Sequence, residues 1–458
     1  MSRLPVRLDW LRPRRSSLWE PPALRAARAL VRAWRRRSAR EQAAGPDRFL
    51  LGREEPSGRA VVLDDQQLAA HGLIVGASGS GKSTTLLLIL SEEIARGRPV
   101  VALDLKGSPS FARSLELAAA RAGRRFRIWT LDGPEQWNPL AAGNPTELKD
   151  KLIATERFTE PHYQRAAERY SQLALRTLIE LEPDRPVTLA RVVNLLEPDR
   201  LSALARGLEP GRQLALTDYL RTLTHDQLSA VRGLASRLAI ITESHTGAFL
   251  GDAADGIDLR QTLAGDEVVL FSLNSASYGR LAAQVGTLVV QDLVTATGAR
   301  LREGQSERAF VAIDEFSALG SDNMMALVAR AREAGITVFV ATQELVDLER
   351  AARGLRDQAS GNTAVKIAHR QDVPASADAI SRMAGTVKTW ERTYQERPGG
   401  MGLRKERGST ARLVDRPVIE PEQIRSLPTG KAVVIVKTPR SCARVVTVAA
   451  PARDGLER

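Results

Sequence analysis

The residues best suited to chemistry lie in one glycine-rich stretch, which reads Gly-Ala-Ser-Gly-Ser-Gly-Lys-Ser over positions 76–83. The stretch follows an apolar run at 73–75 and precedes a helical pattern over 84–95, as a phosphate-binding loop requires. Converging backbone N–H groups and the helix amino-terminus favour phosphate there. We predict that Lys82 reaches the β- and γ-phosphates of ATP and that Ser83 holds Mg²⁺. The predicted nucleotide-binding residues are Gly76, Ala77, Ser78, Gly79, Ser80, Gly81, Lys82, Ser83 and Thr84.

An acidic pair ends a second apolar run. Positions 309–313 are apolar, and Asp314 and Glu315 follow them directly. Carboxylates at such a strand end suit two roles: Asp314 joins the Mg²⁺ shell, and Glu315 orients and deprotonates an attacking water. A second acid beside the metal ligand suits water activation better than phosphate transfer to a bound acceptor. The pair therefore predicts nucleotide hydrolysis and disfavours a kinase.

Further polar residues follow neighbouring runs. Gln343 ends the run at 337–341, where it is either a sensor of the γ-phosphate or an ordinary strand-end residue. Arg330 and Arg332 end the preceding helical pattern. One of them, preferably Arg332, is a candidate arginine finger for a neighbouring subunit, the alternative being a cation favoured by the helix dipole. Asp-Leu-Lys-Gly at 104–107 either supports the ATP site or forms a structural turn.

Short apolar runs alternate with helical patterns along most of the chain. The runs are rich in Val, Ile, Leu and Ala, as in strands buried on both faces of a parallel sheet, and the intervening helices favour right-handed βαβ units. Between 145 and 262 the pattern changes to consecutive helices punctuated by prolines. The predicted strands lie at 60–63, 73–75, 100–104, 126–131, 268–273, 310–313, 338–341, 364–367, 433–436 and 445–448.

These patterns predict an α/β P-loop fold with a mainly parallel twisted sheet and an inserted all-α domain. The predicted division has a basic arm over 1–57 and a nucleotide-binding domain over 58–144 and 263–450. The all-α domain occupies 145–262, and a short tail follows over 451–458.

Composition narrows the class of protein. The 458 residues are 43% hydrophobic and 26% charged, which is enough for a large core in two or three domains. The single cysteine, Cys442, excludes an intramolecular disulfide framework and a cysteine-based zinc site. Neither a secretory signal nor an uncharged apolar run of about 18 residues is apparent. We expect a cytoplasmic protein, peripheral at most at the inner face of the cell membrane.

The net charge of +12 is concentrated in particular segments. Residues 1–48 contain 13 arginines and 4 acidic residues, and positions 21–41 form a basic amphipathic helical pattern. Such a helix either lies on an anionic membrane or nucleic acid or is a solvated arm. The segment 386–413 carries 7 basic and 3 acidic residues and several glycines, which predicts a mobile loop that is either a DNA contact or a solvated insertion.

A set of motifs resembles conjugative coupling proteins of the TraD/TraG type, within the FtsK/HerA superfamily, over about residues 58–450. In order, these motifs are the phosphate loop, Asp104-Leu105-Lys106-Gly107, Trp137-Asn138-Pro139-Leu140, Leu270-Phe271-Ser272-Leu273-Asn274, Ile313-Asp314-Glu315-Phe316 and Ala341-Thr342-Gln343. Gly361-Asn362-Thr363 and the stretch from Ile424 to Gly430, which ends in Pro428-Thr429-Gly430, resemble the family's later part.

The resemblance implies a RecA-like hexameric ring with ATP between subunits and DNA pumped through a central channel. It implies that the all-α domain faces the cytoplasm and the relaxase or other relaxosome proteins, and it supports Arg332 as the finger. Typical members carry an amino-terminal transmembrane anchor, whereas this chain begins with an arginine-rich arm. Recruitment by a membrane or secretion-channel subunit, membrane binding through 21–41, or service to a different transfer machine remain open.

Two other functions fit the same residues. A HerA/FtsK-like motor for DNA repair or chromosome handling shares the nucleotide site. A scaffold that binds ATP without pumping is disfavoured by the complete set of Lys82, Ser83, Asp314 and Glu315.

Overall fold

The computed structural model describes residues 47–156, 158, 160–319, 321–396 and 407–451. An eleven-stranded sheet has the order β2-β1-β13-β12-β9-β3-β8-β7-β4-β6-β5, and a separate two-stranded sheet joins β10 to β11. The strands are β1 (Arg48–Glu54), β2 (Ala60–Asp64), β3 (Gly72–Val75), β4 (Val100–Asp104), β5 (Phe126–Thr130), β6 (Val268–Ser272), β7 (Ala309–Asp314), β8 (Ile336–Thr342), β9 (Val365–Ala368), β10 (Thr386–Glu396), β11 (Arg407–Pro417), β12 (Lys431–Val436) and β13 (Cys442–Val448).

The seven strands from β9 to β5 pair in parallel, and β12, β13, β1 and β2 extend the sheet with antiparallel pairs. Every residue of β3, β4, β7, β8 and β9 is buried, as expected for strands with both faces covered. Between consecutive strands β3 and β4 in the chain lie β8 and β7 in the sheet. The carboxyl ends of these four strands therefore bound one crevice, the usual ligand position in an open parallel sheet.

Helices cover both faces of the sheet. Alternate residues of β8 enter different clusters: Val338 and Val340 pack with one apolar core, Phe339 and Ala341 with the other. The helices are Asp65–Ala69, Lys82–Ala95, Pro109–Arg121, Pro145–Ala154, Pro161–Leu181, Leu189–Leu195, Pro198–Ala205, Pro210–Thr222, His225–Thr242, Leu259–Ala264, Ser275–Arg302, Ser321–Ala331, Leu345–Ala351, Leu355–Gly361, Pro374–Ala384 and Pro421–Arg425, with 3₁₀ turns at His245–Phe249 and Phe316–Ala318.

Consecutive helices from Pro145–Ala154 to His225–Thr242 lie between β5 and β6, and their apolar faces share one core with the sheet. Proline at the first turn starts several of them, where its missing N–H costs no hydrogen bond. The division of the chain at 145 and 262 stays a prediction. Among the described residues, no helix is long and apolar enough to cross a lipid bilayer.

The structure corrects the predicted bounds of the arm. The range assigned to the arm, 1–57, contains β1, which pairs with β2 and β13 because Phe49 and Leu51 alternate into the core. The predicted amphipathic helix at 21–41 lies outside the described residues.

The predicted mobile loop over 386–413 was also wrong for most of its length. Positions 386–396 and 407–417 pair as antiparallel β10 and β11, since Thr, Val, Trp and Tyr in these positions favour extended backbone. The glycines that suggested a loop lie at 399, 400 and 402, between the two strands and outside the described ranges.

Candidate nucleotide site

The phosphate loop connects β3 to the helix Lys82–Ala95 at the carboxyl edge of the sheet. Gly81 is the residue that caps this helix, and it has a φ of 112°, a left-handed conformation that glycine adopts without a steric penalty. The loop begins beside the predicted sensor strand, because the Gly76 amide donates to the carbonyl of Gln343 at 3.0 Å. Gly76, Ala77 and Ser80 are buried, whereas Ser78, Gly79 and Thr84 are exposed.

Lys82 joins the phosphate loop to the acidic pair. Its ammonium donates to Asp314 and, at 2.8 Å, to Oε1 of Glu315. The Ser83 hydroxyl donates to Oδ2 of Asp314 at 3.4 Å. Lys82 and Asp314 are almost fully buried, so their attraction is screened less than that of surface charges. The structure thus brings the predicted lysine, hydroxyl and carboxylates into one cluster.

Glu315 sits between two ammonium groups. Besides Lys82, its Oε1 contacts Nζ of Lys106 at 2.6 Å. Burial opposes ionisation of Glu315, but Lys82 and Lys106 together lower its pKa. The backbone of Glu315 has a φ of 57°, a conformation that is uncommon for a residue with a side chain and is enriched at functional sites. The carboxylate is therefore held ionised, as a proton acceptor must be.

The two charged residues of the turn at 104–107 make different contacts. Asp104 accepts the backbone N–H groups of Lys106 and Ser108 at 2.9 and 2.7 Å, so its carboxylate shapes the turn. Burial raises the pKa of Asp104. Lys106 instead extends to Glu315, and although burial opposes its charge, that contact raises the pKa of Lys106. Asp104 thus shapes the turn and Lys106 contacts the acidic pair, which correspond to the two alternatives that the sequence left open for this segment.

Arg332 lies far from Lys82 within the chain. It precedes β8, whose seven residues end beside the phosphate loop at Thr342, so about 20 Å of strand separates the two edges. Arg332 is exposed and lines a cavity of about 520 Å³ with His71 at the amino edge of the sheet. Arg330 lines a different cleft, beside Arg302. The chain does not bring either arginine to its own acidic pair.

The donor set fits a magnesium-bound phosphate. The Ser83 hydroxyl and the Asp314 carboxylate are oxygen ligands of the kind that Mg²⁺ prefers. The side-chain oxygen of Ser80 is buried inside the loop and has no hydrogen-bond partner among the described residues. Buried hydroxyls are normally paired, so this oxygen is suited to a ligand in the loop.

Residues that sequence reasoning missed support the loop from behind. His369 follows β9, and its Nε2 lies 2.8 Å from the Thr85 hydroxyl while its Nδ1 lies 2.9 Å from the carbonyl of Lys431. Burial lowers the pKa of His369 to about 4, so the ring is neutral at physiological pH. A single histidine after a buried run gives no sequence signal for this contact.

A turn at 428–430 packs against the same loop. The Thr429 hydroxyl donates to the carbonyl of Gly79 at 3.1 Å, and the Gly430 amide donates to the carbonyl of Ser80 at 3.0 Å. The sequence singled out this turn only for its family resemblance, and its contact with the phosphate loop depends on pairing of β12 with β9.

Two family models match the chain. Residues 308–429, which include the acidic pair and Gln343, match the model described as the TraM recognition site of TraD and TraG. Residues 30–98, which include the phosphate loop, match the FtsK/SpoIIIE family. The chain is therefore similar to TraD and TraG over one part and to the FtsK/SpoIIIE family over another. No curated protein sequence matches it.

Solved structures confirm the RecA-like fold of this chain. The bacterial conjugative coupling protein TrwB, in an unbound form, is 16% identical with a TM-score of 0.63, covering 88% of this chain and 90% of its own. TrwB in complex with ADP and Mg²⁺ is 16% identical with a TM-score of 0.63, covering 89% and 92%. VirB4 of Thermoanaerobacter pseudethanolicus is 15% identical with a TM-score of 0.55, covering 88% and 96%.

Proposed function

We propose that this chain hydrolyses Mg²⁺-bound ATP and uses the energy to move DNA, as a coupling protein of conjugative transfer or type IV secretion. The observation that carries the proposal is the cluster of Lys82, Asp314 and Glu315 at the carboxyl edge of the sheet. TrwB, a conjugative coupling protein of the same fold, has been solved with ADP and Mg²⁺, which supports the choice of ligand.

The residues divide the chemistry among them. Lys82 neutralises the β- and γ-phosphates, and Ser83 and Asp314 hold Mg²⁺, which supplies charge stabilisation when bound. Glu315 accepts a proton from the attacking water. The phosphates of ATP compete with Glu315 for the Lys82 ammonium, after which Lys106 remains as the carboxylate's cationic partner. Gln343, next to Gly76 along the crevice, is the proposed γ-phosphate sensor.

A ring of subunits, which we propose to be a hexamer, gives Arg332 its role. Since Arg332 lies at the edge of the sheet away from its own phosphate loop, it acts as an arginine finger only on the ATP of a neighbouring subunit. An arginine presented in this way raises turnover by roughly 10³–10⁵.

The partners follow from the coupling role. A relaxosome protein is the proposed protein partner, because the model that matches residues 308–429 is described as a TraM recognition site. DNA is bound without sequence preference, since a translocating motor grips phosphates. We place the protein in the cytoplasm, at the inner face of the membrane, where a channel subunit recruits it.

The test compares ATP turnover of the purified chain with and without DNA, together with its assembled mass. DNA-stimulated turnover in a six-subunit species is expected. Glu315→Gln should lower kcat by roughly 10²–10⁴ because the general base is lost, while ATP binding persists. Glu116→Gln, an exposed acid on the helix Pro109–Arg121, is the matched control. Unchanged turnover of Glu315→Gln would end the hydrolytic assignment.

A second candidate is a HerA/FtsK-like motor that handles chromosomal DNA, which the FtsK/SpoIIIE match over residues 30–98 favours. Both candidates expect DNA-stimulated turnover. Retention of a relaxase or TraM-like protein by the purified chain distinguishes the coupling protein from the chromosomal motor.

A further inference from the structure

The hairpin of β10 and β11 is an uncovered surface. Within the described part of the chain, its strands pair only with each other, from Thr386↔Pro417 to Glu396↔Arg407. All side chains from 386 to 391 are exposed, so neither face of β10 is covered there. Trp390 is 65% exposed, and Leu413, opposite it in the ladder, is 45% exposed. A lone two-stranded hairpin is marginally stable in water, and a clustered exposed apolar surface marks an interaction site.

The net positive charge of the hairpin indicates which class of molecule it binds. Residues 386–417 contain 8 basic and 4 acidic residues, and residues 1–48 contain 13 basic and 4 acidic residues. Of the net charge of +12, these two segments account for +13, which leaves −1 for all other residues. A second copy's hairpin and the chain's own arm are of the same sign and are repelled. A polyanion is attracted.

The arrangement of side chains narrows the partner further. Trp390 stands opposite Leu413, which is 45% exposed. Because side chains alternate along a strand, Lys388 shares the face of Trp390, and exposed Arg412 lies on the other face. An exposed indole with a cation on the same face can bind an unpaired base by stacking and its phosphate by charge.

We propose that this hairpin binds a single-stranded nucleic acid, with a base stacked on Trp390 and a phosphate held by Lys388. The proposal rests on the proposed DNA-translocating function and names a contact surface for its substrate. A duplex is disfavoured because its bases are already stacked on each other. Leu413, directly across the ladder, widens the apolar platform beneath the base.

The test measures binding of a fluorescein-labelled oligothymidine of about 20 nucleotides, and of a duplex of the same length, by fluorescence anisotropy with the full chain. Trp390→Ala should weaken oligothymidine binding roughly 5- to 150-fold, the range of one lost stacking contact. Trp390→Phe should stay close to the parent, since a ring is kept. Ile240→Ala, which removes another side chain exposed by 57%, is the control and should change nothing.

Two further measurements separate binding from structure. Lys388→Gln should reduce the slope of log K against log salt by about 0.7, the value for one lost phosphate contact with a single strand, whereas Trp390→Ala should leave that slope unchanged. Turnover of Trp390→Ala without DNA should equal that of the parent, because Trp390 is not part of the nucleotide site.

The outcomes distinguish this proposal from the function on which it rests. If the parent chain binds no nucleic acid and DNA does not stimulate its turnover, the proposed function fails. If the parent binds DNA and Trp390→Ala binds it equally well, the hairpin proposal alone is overturned. Loss of assembled mass in Trp390→Ala would reassign the surface to a second copy, and loss of a TraM-like protein with DNA binding intact would reassign it to that protein.

Discussion

A buried lysine links the helices between β5 and β6 to the sheet domain. We expect its removal to lower the free energy of unfolding substantially. Lys151, on the helix Pro145–Ala154, donates to the carbonyls of Pro139 and Ala142 at 2.8 and 2.9 Å and to Oδ1 of Asp292 at 2.8 Å. Asp292 lies on the long helix Ser275–Arg302 and also accepts the Trp137 indole N–H at 3.0 Å. The proposed change is Lys151→Met.

The magnitude follows from burial. Lys151 is 0% exposed, and all three donors of its ammonium have acceptors. Burial raises the pKa of Asp292, against the opposing effect of Lys151, so this carboxylate depends on its partner to stay ionised. Breaking a buried ion pair by removing one member costs about 3–5 kcal/mol. We expect Lys151→Met to lower the free energy of unfolding by about 4 kcal/mol.

Urea unfolding followed by tryptophan fluorescence measures this effect, and Trp137 is a reporter in contact with Asp292. Lys149→Met is the matched control, two residues away on the same helix, because it removes only the pair with the exposed Asp150. A surface pair of that kind contributes about 0–1 kcal/mol. The double variant Lys151→Met with Asp292→Asn should recover about 2 kcal/mol, since no unpaired charge stays buried and the amide oxygen still accepts the Trp137 N–H.

The reasoning is refuted if Lys151→Met lies within about 1 kcal/mol of Lys149→Met, the range of a surface pair. It is also refuted if the double variant is less stable than Lys151→Met. Either result would mean that the charge of Asp292 is not what makes the single substitution costly.

Three further predictions concern Lys106, two buried histidines and Arg332. Lys106→Met should raise the pKa of Glu315 and move the acid limb of the turnover–pH profile to higher pH; a stationary limb contradicts this. Burial lowers the pKa of His71 and of His369 to about 4 in the folded chain. The pKa of an unfolded histidine is near 6.5, so below that pH the unfolded chain binds protons that the folded chain does not. Stability should be full above pH 6.5 and fall by about 3 kcal/mol per histidine by pH 4, and replacing either by Gln should flatten urea midpoints over that range. Arg332→Ala should abolish turnover while ATP binds normally, and mixing it with Glu315→Gln should restore activity, because some sites then have both an intact base and a neighbour's arginine; no restoration argues against action between subunits.

The parts of the site that are determined by residues close together in the sequence could be predicted. The phosphate loop lies between a strand and a helix that the local pattern specifies, and Asp314 ends a strand whose apolar run is plain. Parallel strands bring their carboxyl ends to one edge, so their meeting with Lys82 followed from fold class alone.

Other parts depend on contacts that local patterns do not encode. His369 supports the phosphate loop only because β9 lies next to β3. The short apolar run of β1 directly follows a basic segment, so its strand pattern is hard to recognise in the sequence. The hairpin was predicted as a loop because its central glycines outweighed the β-forming residues on either side. For His369 and β1, strand pairing over a long sequence distance decided the structure, and one sequence contains little information about such pairing.

The turn at 428–430 has a consequence for the timing of synthesis. Thr429 contacts Gly79 across a sequence separation of 350 residues, and a ribosome needs on the order of half a minute to make that length. During this interval the nascent chain already contains Lys82 but lacks the backbone that supports its loop. The phosphate loop therefore gains its contacts with Thr429 and Gly430 only after β12 has joined the sheet.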